Sequence, residues 1–260
     1  MDKVLIFTAT FNEIDNISQL IEKIKQNCES ADILIIDDNS PDGTGELLKN
    51  LENQDRNLKV IIRDKKYGLD TAHKFAYNYA LKNHYDYLIT MDADLQHHPR
   101  DIPKVLQLLN EGHAVVSSWR YDRADEPAGK RIPSRISNSL ARLMTGVPAH
   151  DFGSGFKGYY APRLSELILY GSFHRYIPAL ILQPQDTLGE VRIDYRDRIG
   201  GKTKYGATRI LKGVRDLIYI TMITRLKGNF LANLYANFMV YLHYDQGRDT
   251  YRIDSKIGLE

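Results

Sequence analysis

The segment LITMDADLQHHP, residues 88–99, runs from a mostly hydrophobic stretch directly into two aspartates, Asp92 and Asp94. The hydrophobic stretch predicts a buried strand that ends just before the first aspartate. In the turn after a strand both carboxylates can converge on one point, where like charges repel unless a cation holds them. Oxygen ligands in an incomplete protein shell suit Mg²⁺ or Mn²⁺ that also binds phosphate oxygens of a substrate. The segment therefore predicts a metal site at a strand end.

Around this segment, short strand patterns alternate with helical patterns. The predicted strands cover residues 4–10, 31–37, 58–63, 85–91 and 113–119, and the predicted helices cover 16–28, 45–53, 71–83 and 102–112. Such alternation predicts βαβ units and an α/β fold with a mostly parallel sheet flanked by helices. Ligands of such sheets bind beyond the carboxyl ends of the strands. Because Asp37 and Asp38 follow a predicted strand, we expect them to share one crevice with Asp92 and Asp94.

The pattern changes after residue 119. A charged loop at 120–131 leads to a predicted helix at 134–144, and the glycine-rich segment HDFGSGFKGYY at 150–160 predicts a turn. A strand is predicted at 190–198, and two helical patterns close the chain at about 206–226 and 229–244.

The C-terminal segment combines positive charge with apolar residues. Nine Lys and Arg stand against two Asp between residues 196 and 227, which predicts an anionic partner: phosphate, a lipid surface or nucleic acid. Residues 228–244 carry no charged side chain, but at about 1.5 Å per residue they are too short to span a hydrocarbon core of about 30 Å. We expect a catalytic domain at 1–205 and amphipathic helices at 206–260 that contact a membrane interface or a partner, with packing on the catalytic domain as the alternative.

Bulk composition narrows the fold and function classes that the chain can belong to. The chain has 260 residues, 43% of them hydrophobic, which suits one large α/β domain or one domain with an appendage. A formal net charge of +2 disfavours a polycation that binds nucleic acid. Cys28 is the only cysteine, so neither an internal disulfide nor a cysteine metal cage can form. The sequence opens without a signal-peptide layout and contains no run of about 18 apolar residues, so we expect a cytoplasmic protein without a spanning helix.

Other phosphate and metal motifs fit less well. The segment GGKTK at 200–204 resembles the end of a phosphate-binding P-loop, but Arg196 stands where that motif requires its first glycine. No G-x-G-x-x-G follows the first strand, which disfavours a dinucleotide fold of the usual kind. His97 and His98 have neither a helical metal-ligand spacing nor a nearby thiolate, so we interpret them as structural or solvent-facing.

Eight blocks of sequence occur in a fixed order: FTATFNE, DDNSPDGT, YGLDTA, MDADLQHHP, SSWRY, DFGSGFKGYY, HRYIPAL and RIGGKTKYG. In this order they resemble family 2 glycosyltransferases, most of all the branch of dolichol-phosphate mannose synthases and bacterial polyprenyl-phosphate glycosyltransferases. The resemblance covers about residues 3–210. It implies a glycosyltransferase A-type fold, a nucleoside-diphosphate sugar donor (GDP- or UDP-hexose), a divalent metal and inversion at the anomeric carbon.

By position, the resemblance assigns a donor site. Base and ribose would be held by Phe11, Glu13 and Asp38. That pocket would be shaped by Asp42 and Gly43. Metal and diphosphate would be bound by Asp92, Asp94 and Gln96, with Asp94 as the most direct ligand. Asp70 stands where glycine is common in the family, which leaves the base and the sugar open.

The resemblance also assigns residues to catalysis and to the acceptor. The catalytic residues that it implies are Asp94, Arg120 and Asp151. Arg120 matches a cation on the donor phosphate, and Asp151 matches a base or a carboxylate that orients the acceptor. Arg198 and Lys204 match cations on an acceptor phosphate. The glycine loop at 200–201 adds Lys202, and weaker candidates for the same phosphate are Arg131 and Arg135.

Two acceptor classes are open from the sequence. A lipid phosphate is already anionic and needs cations more than a base, whereas a sugar hydroxyl needs a general base, for which Asp151 is the candidate. The basic segment favours an enzyme that moves a hexose to polyprenyl phosphate at the cytoplasmic face of the membrane, as a peripheral protein, with a membrane-anchored partner subunit or as a homo-oligomer. The alternative is a soluble glycosyltransferase that acts on a carbohydrate hydroxyl. The complete acidic set disfavours a third class, a non-catalytic nucleotide-sugar-binding protein.

Overall fold

The computed structural model describes residues 2–121, 128–167, 173–194 and 207–225. The strands in these ranges are β1 (Val4–Thr10), β2 (Asp32–Asp37), β3 (Leu58–Ile62), β4 (Tyr87–Thr90), β5 (Val115–Arg120), β6 (Lys157–Tyr160) and β7 (Leu188–Ile193). The α-helices are α1 (Ile14–Asn27), α2 (Thr44–Glu52), α3 (Leu69–Lys82), α4 (Ile102–Asn110), α5 (Ala128–Thr145), α6 (Ile177–Ile181) and α7 (Ala207–Arg225). Short 3₁₀ turns cover Pro99–Asp101, Ala161–Glu166 and Phe173–Arg175.

The strands form one sheet in the order β3-β2-β1-β4-β6-β5-β7. Their pairings are parallel except for those of β6, which runs antiparallel to both β4 and β5. The carboxyl ends of β1, β2, β4 and β5 therefore point to one edge of the sheet, and β6 begins at that same edge. This arrangement confirms the predicted α/β fold with a mostly parallel sheet flanked by helices.

Alternation along the central strand fills two hydrophobic layers. Leu5 and Phe7 of β1 belong to the layer that includes α3, while Val4 and Ile6 belong to the layer that includes α1 and α4. Both faces of the sheet are covered, as parallel sheets require. Burying each such side chain stabilises the fold by about 1.5–3 kcal/mol, so these layers hold the strand ends rigidly in place.

Two elements differ from the sequence prediction. Helix α5 begins at Ala128 rather than at 134, and it continues through Pro133, a residue type that usually marks a helix boundary. Strand β6 lies inside the glycine-rich segment that was predicted to be a turn. Its Gly158 packs directly under α4, where a Cβ atom would overlap Val105 Cγ1. The glycine is therefore required by close packing of a strand on a helix rather than by a turn.

The described part of the C-terminal segment packs on the catalytic body. Helix α7 contacts α5 and α6, and its Leu217, Tyr219 and Ile220 lie in the core layer that includes α3. The boundary at 205/206 and the second predicted helix at 229–244 lie outside the described residues, so the division into two domains stays a prediction. Of the helices that the structure describes, none has the length and apolar character needed to cross a membrane.

Substituting Gly158 by alanine is expected to destabilise the fold by about 1–3 kcal/mol, because the added methyl group overpacks the contact with α4. Besides Val105, the new Cβ would lie 3.0 Å from Leu109 Cδ1. Gly213 in α7 is the matched control, since a Cβ there meets nothing within 4 Å. Gly213→Ala is expected to stabilise the protein by up to about 1 kcal/mol through helix propensity. Urea unfolding of both variants measures the difference; equal stability would contradict the packing described for β6.

Candidate active site

Strand ends bring predicted site residues together at the carboxyl edge of the sheet. Phe11 follows β1, Asp38 follows β2, Asp92 follows β4, and Arg120 ends β5. The loop at 151–156 enters the same edge because the antiparallel strand β6 begins there. Both acidic clusters thus lie at one edge, as their positions after strands predict.

Asp92 and Asp94 lie in the turn after β4. The Asp92 side chain is 45% exposed, and Asp94 Oδ1 accepts a hydrogen bond from the Gln96 amide at 3.2 Å. Leu95, directly after Asp94, has a φ of 57°, a left-handed conformation that reverses the chain. Gly155 packs on Asp92 so closely that a Cβ atom would lie 2.6 Å from both carboxylate oxygens. Only a residue without a side chain lets the 151–156 loop approach Asp92 in this way.

The donor set of this turn fits a divalent cation that is shared with a substrate. Within the described ranges, no group of three or more Asp, Glu, His or Cys side chains could hold a metal by itself. Asp92 and Asp94 would therefore hold the ion with only part of its coordination shell, which leaves positions for phosphate oxygens. Carboxylate and phosphate oxygens are the ligands that Mg²⁺ and Mn²⁺ prefer. The contribution predicted for the Gln96 side chain stays a prediction.

His97 is buried behind this pair of aspartates. Its Nδ1 atom lies 3.5 Å from Asp92 Oδ2, its Nε2 atom lies 3.3 Å from Ser154 Oγ, and its ring packs near Phe156. Burial, followed by the positive charge of Arg120, lowers the pKa of His97 to about 4. The imidazole is therefore neutral at pH 7. This position agrees with the structural interpretation of His97 rather than with a solvent-facing one.

Arg120 and Asp151 form a two-pronged ion pair. Arg120 Nε donates to Asp151 Oδ2 at 2.6 Å, and Nη2 donates to Oδ1 at 2.9 Å. The buried Asp151 carboxylate also accepts a hydrogen bond from the Gly153 amide at 3.0 Å. Guanidinium–carboxylate pairs of this kind fix direction as well as charge. Asp151 thus orients Arg120, and the role of general base predicted for it stays a prediction.

A buried lysine that sequence reasoning missed supports the same loop. Lys157 is 2% exposed, and its ammonium group donates to the backbone carbonyls of Phe152 and Ser154. Burial lowers the pKa of Lys157 to about 8, although the carboxylates of Asp151 and Asp92 act in the opposite direction. Lysine is almost never fully buried unless it has partners. The available signal was a single lysine inside an apolar and glycine-rich segment.

The two aspartates after β2 have different partners. Asp37 accepts a hydrogen bond from the Ser40 amide at 2.9 Å and closes the turn after the strand. Asp38 is buried, forms an ion pair with Arg63 and accepts a hydrogen bond from the Gly68 amide at 3.2 Å. Arg63, which follows β3, was not among the predicted site residues. The ribose-binding role predicted for Asp38 stays a prediction.

Phe11 and Glu13 lie just after β1. Phe11 is 36% exposed, and the Lys66 ammonium group lies 3.5 Å from the centre of its ring in a cation–π contact. An exposed aromatic ring offers a flat surface on which a nucleobase can stack. Glu13 is buried, and its Oε2 atom accepts a hydrogen bond from Asn16 Nδ2 at 2.9 Å at the start of α1. Their predicted roles with base and ribose stay predictions.

Asp42 and Gly43 lead into α2. Asp42 accepts hydrogen bonds from the amide and the hydroxyl of Thr44 and from the amide of Ile14. Slight burial acts to raise the pKa of Asp42, but these hydrogen bonds outweigh it and lower the pKa below its usual value. Gly43 has a φ of 92°, which residues with a side chain rarely adopt. Asp42 therefore fixes the loop between β2 and α2 through its hydrogen bonds, and Gly43 provides the turn into α2.

A cavity of about 610 Å³ opens beside the Arg120–Asp151 ion pair. Its lining includes four guanidinium groups, those of Arg120, Arg131, Arg135 and Arg142. Several arginines around one cavity attract and orient an anion such as a phosphate group. Arg142 was not predicted, although its spacing from Arg131 and Arg135 places all three on one side of a helix. The other predicted acceptor cations lie outside the described residues: Arg198, Lys202 and Lys204.

Solved structures share this architecture. A glucosyl-3-phosphoglycerate synthase from Mycobacterium tuberculosis, crystallised with Mn²⁺, UDP and phosphoglyceric acid, is 17% identical, with a TM-score of 0.64 over 86% of this chain and 78% of that one. A mannosyltransferase from Pyrobaculum calidifontis, in complex with GDP-Man and Mn²⁺, is 13% identical, with a TM-score of 0.60 over 87% of this chain and 65% of that one. The sheet order and these likenesses define a protein of the glycosyltransferase A-type fold, which confirms the predicted fold class.

The chain belongs to glycosyl transferase family 2, whose family model matches residues 5–167, more than half of its length. A dodecaprenyl-phosphate galacturonate synthase from Rhizobium johnstonii is 29% identical over 235 residues, 86% of this chain and 69% of that protein. An undecaprenyl-phosphate 4-deoxy-4-formamido-L-arabinose transferase from Pseudomonas aeruginosa is 29% identical over 255 residues, 93% of this chain and 74% of that protein. The resemblance inferred from the sequence is confirmed, and the protein is a glycosyltransferase.

Proposed function

We propose that the protein transfers a hexose from a GDP- or UDP-sugar to polyprenyl phosphate, with inversion at the anomeric carbon. The observation that carries this proposal is the cavity with four arginines beside the Arg120–Asp151 pair. An acceptor that is already an anion needs cations to hold it and little deprotonation. Both relatives described above carry a polyprenyl phosphate in their names, which supports the same acceptor chemistry.

For the donor, we propose that Asp92 and Asp94 hold Mg²⁺ or Mn²⁺ against the diphosphate. The two solved structures described above contain Mn²⁺ together with a nucleotide or a nucleotide sugar, which supports a divalent ion here. Such an ion neutralises the charge that develops on a departing diphosphate. Arg120 would add a fixed positive charge on the same side. The base and ribose would lie in the pocket formed by Phe11, Glu13, Asp38, Asp42 and Gly43.

The proposed reaction is a single displacement. A phosphate oxygen of the acceptor attacks the anomeric carbon, the bond between that carbon and the diphosphate oxygen breaks, and the nucleoside diphosphate leaves with the electron pair. Attack on the face opposite the leaving group inverts the configuration. Arg131, Arg135 and Arg142 would hold the attacking phosphate in position, and holding two reactants in line supplies a large part of the rate enhancement.

We further propose that the reaction takes place at the cytoplasmic face of the membrane, with the protein as a peripheral enzyme or attached to a membrane-anchored partner subunit. The acceptor is a lipid, so the arginine cavity must reach the level of the phosphate headgroups. The basic residues between 196 and 227 would add attraction to an anionic surface.

Substituting Asp151 by asparagine tests the acceptor class. We expect transfer to vesicle-embedded polyprenyl phosphate to fall by about tenfold, because Arg120 is held less firmly, but to persist. Loss of a compulsory general base costs about 10²–10⁴-fold. The measurement is sugar transfer to polyprenyl phosphate and, in parallel, to a carbohydrate hydroxyl acceptor.

Asp186 provides the matched control, because its side chain is only 8% exposed and is also paired with an arginine, Arg163, at 2.7 Å. It lies just before β7, away from the carboxyl edge, so Asp186→Asn is expected to affect stability but not the choice of acceptor. Complete loss of lipid-phosphate transfer in Asp151→Asn, with normal folding, would contradict the proposal. Transfer by the wild type to the hydroxyl acceptor alone, lost in Asp151→Asn, would instead establish the soluble alternative.

A further inference from the structure

One face of α5 is apolar and exposed. Of the eleven exposed large hydrophobic side chains in the described chain, four lie on this helix. Their exposed fractions are 55% for Ile132, 64% for Ile136, 37% for Leu140 and 74% for Leu143. With 3.6 residues per turn, the four positions fall within an arc of about 80° around the helix. We call these four residues the apolar stripe.

The cationic side of α5 lies next to the apolar stripe. By the same helical geometry, Arg131, Arg135 and Arg142 fall within a second arc of about 40°, on one side of the stripe. These arginines line the cavity beside the Arg120–Asp151 ion pair. Ala141, on a third side, is buried against the body of the protein. The helix therefore presents a cation-lined cavity and an exposed apolar surface side by side.

We propose that the apolar stripe inserts into the hydrocarbon boundary of an anionic membrane and so places the arginine cavity at headgroup level. The inference rests on the proposed function, and it names the surface through which that function meets its lipid acceptor. A polyprenyl phosphate has its phosphate at the headgroups and its chain in the hydrocarbon. A helix that is cationic on one side and apolar on the next matches both parts of that molecule and the bilayer around it.

Charge favours a membrane over a second copy of the chain as the occupant. In a two-fold contact through the stripe, each α5 would bring its own three arginines to the edge of the interface. Like charges brought together in this way cost free energy, whereas anionic headgroups are complementary to them. Each exposed Ile or Leu side chain that enters hydrocarbon adds favourable burial of apolar surface, so several of them suffice for reversible attachment.

The experiment uses the full chain and vesicles of phosphatidylglycerol and phosphatidylcholine. The double variant Ile136→Glu/Leu143→Glu is expected to lower vesicle co-sedimentation by at least about tenfold, since two apolar contacts of about 1 kcal/mol or more become unfavourable. Transfer to undecaprenyl phosphate in the vesicles should fall by a similar factor. Transfer to a short, water-soluble isoprenyl phosphate should stay within about twofold, because the arginine cavity is intact. The single variant Leu143→Glu, at the most exposed position of the stripe, is a second test for the case in which the double variant does not fold.

The control is Tyr160→Glu, which places the same charge on an exposed aromatic residue at the opposite edge of the sheet, where β6 ends. This variant should bind vesicles like the wild type. Unchanged vesicle binding by the double variant would overturn the inference, and a change in oligomeric state by light scattering with unchanged binding would assign the stripe to a second copy. If the wild type binds vesicles through the stripe but transfers sugar to neither phosphate acceptor, the proposed function fails and the membrane contact stands.

Discussion

Asp94→Asn is expected to lower sugar transfer by about 10³-fold and to abolish the Mn²⁺-dependent binding of a nucleoside diphosphate. The reason is the small donor set that we propose: Asp92 and Asp94 supply its two carboxylates, so Asp94→Asn removes one of the two negative charges that would hold the ion. An amide oxygen is a weaker ligand than a carboxylate oxygen for a hard divalent cation. With the proposed ion weakened, binding of the nucleoside diphosphate would no longer depend on Mn²⁺.

The measurement for Asp94→Asn combines a transfer assay with thermal unfolding. GDP or UDP with Mn²⁺ should raise the melting temperature of the wild type by mass action, and the variant should show no such rise. Glu22→Gln is the matched control. Glu22 lies exposed on α1, so this substitution also removes one carboxylate, but far from the strand ends. A variant that keeps the Mn²⁺-dependent rise would place the metal site elsewhere.

The sheet and its acidic clusters can be predicted because both depend on local pattern. The strand core at 33–36 reads ILII, a continuous apolar run typical of a strand buried on both faces. In a parallel sheet the carboxyl ends of neighbouring strands coincide, so residues that follow different strands must meet. Asp38 and Asp92 therefore lie at one edge, as the sequence indicates, even though 54 positions separate them.

The partners of these residues could not be predicted in the same way, because each depends on a contact between distant segments. Asp38 is paired with Arg63, the residue after the next strand, and Asp151 is paired with Arg120, 31 positions away. A sequence motif identifies a carboxylate but not its direction. Asp151 points towards Arg120, a contact that the motif does not specify, and its predicted role as a base stays a prediction.

The glycine content of residues 150–160 prevents prediction of the remaining part of the site from sequence. The segment around 150–160 has the composition of a turn, yet it contains a strand and a buried cation, because two of its glycines serve close packing. Gly155 allows close contact with the Asp92 carboxylate, and Gly158 allows close contact with Val105 of α4. Local propensity assigns a glycine-rich segment to a turn. Only the packed structure shows that a neighbouring residue occupies the space where a side chain would be. Lys157 was missed for this reason.

Lys157→Met is expected to lower kcat by about 10²-fold and the free energy of unfolding at pH 7 by about 2 kcal/mol. Methionine fills a similar volume but cannot donate to the carbonyls of Phe152 and Ser154, which Lys157 holds in the structure. The loop that carries Asp151 would loosen, and with it the direction of Arg120. Lys74→Met, at an exposed position on α3, is the control and should change neither quantity appreciably.

The dependence on pH separates a role of the buried ammonium from a simple packing role. In the folded protein the pKa of Lys157 is lowered from 10.5 to about 8, mainly by burial. Between these two values the unfolded chain binds more protons than the folded chain, so the stability of the wild type rises with pH through this window. Methionine does not titrate, so urea unfolding should show the stability gap between wild type and variant to be about 1 kcal/mol larger at pH 9 than at pH 7. An identical gap at both pH values would mean that burial does not lower the pKa of Lys157 into this range.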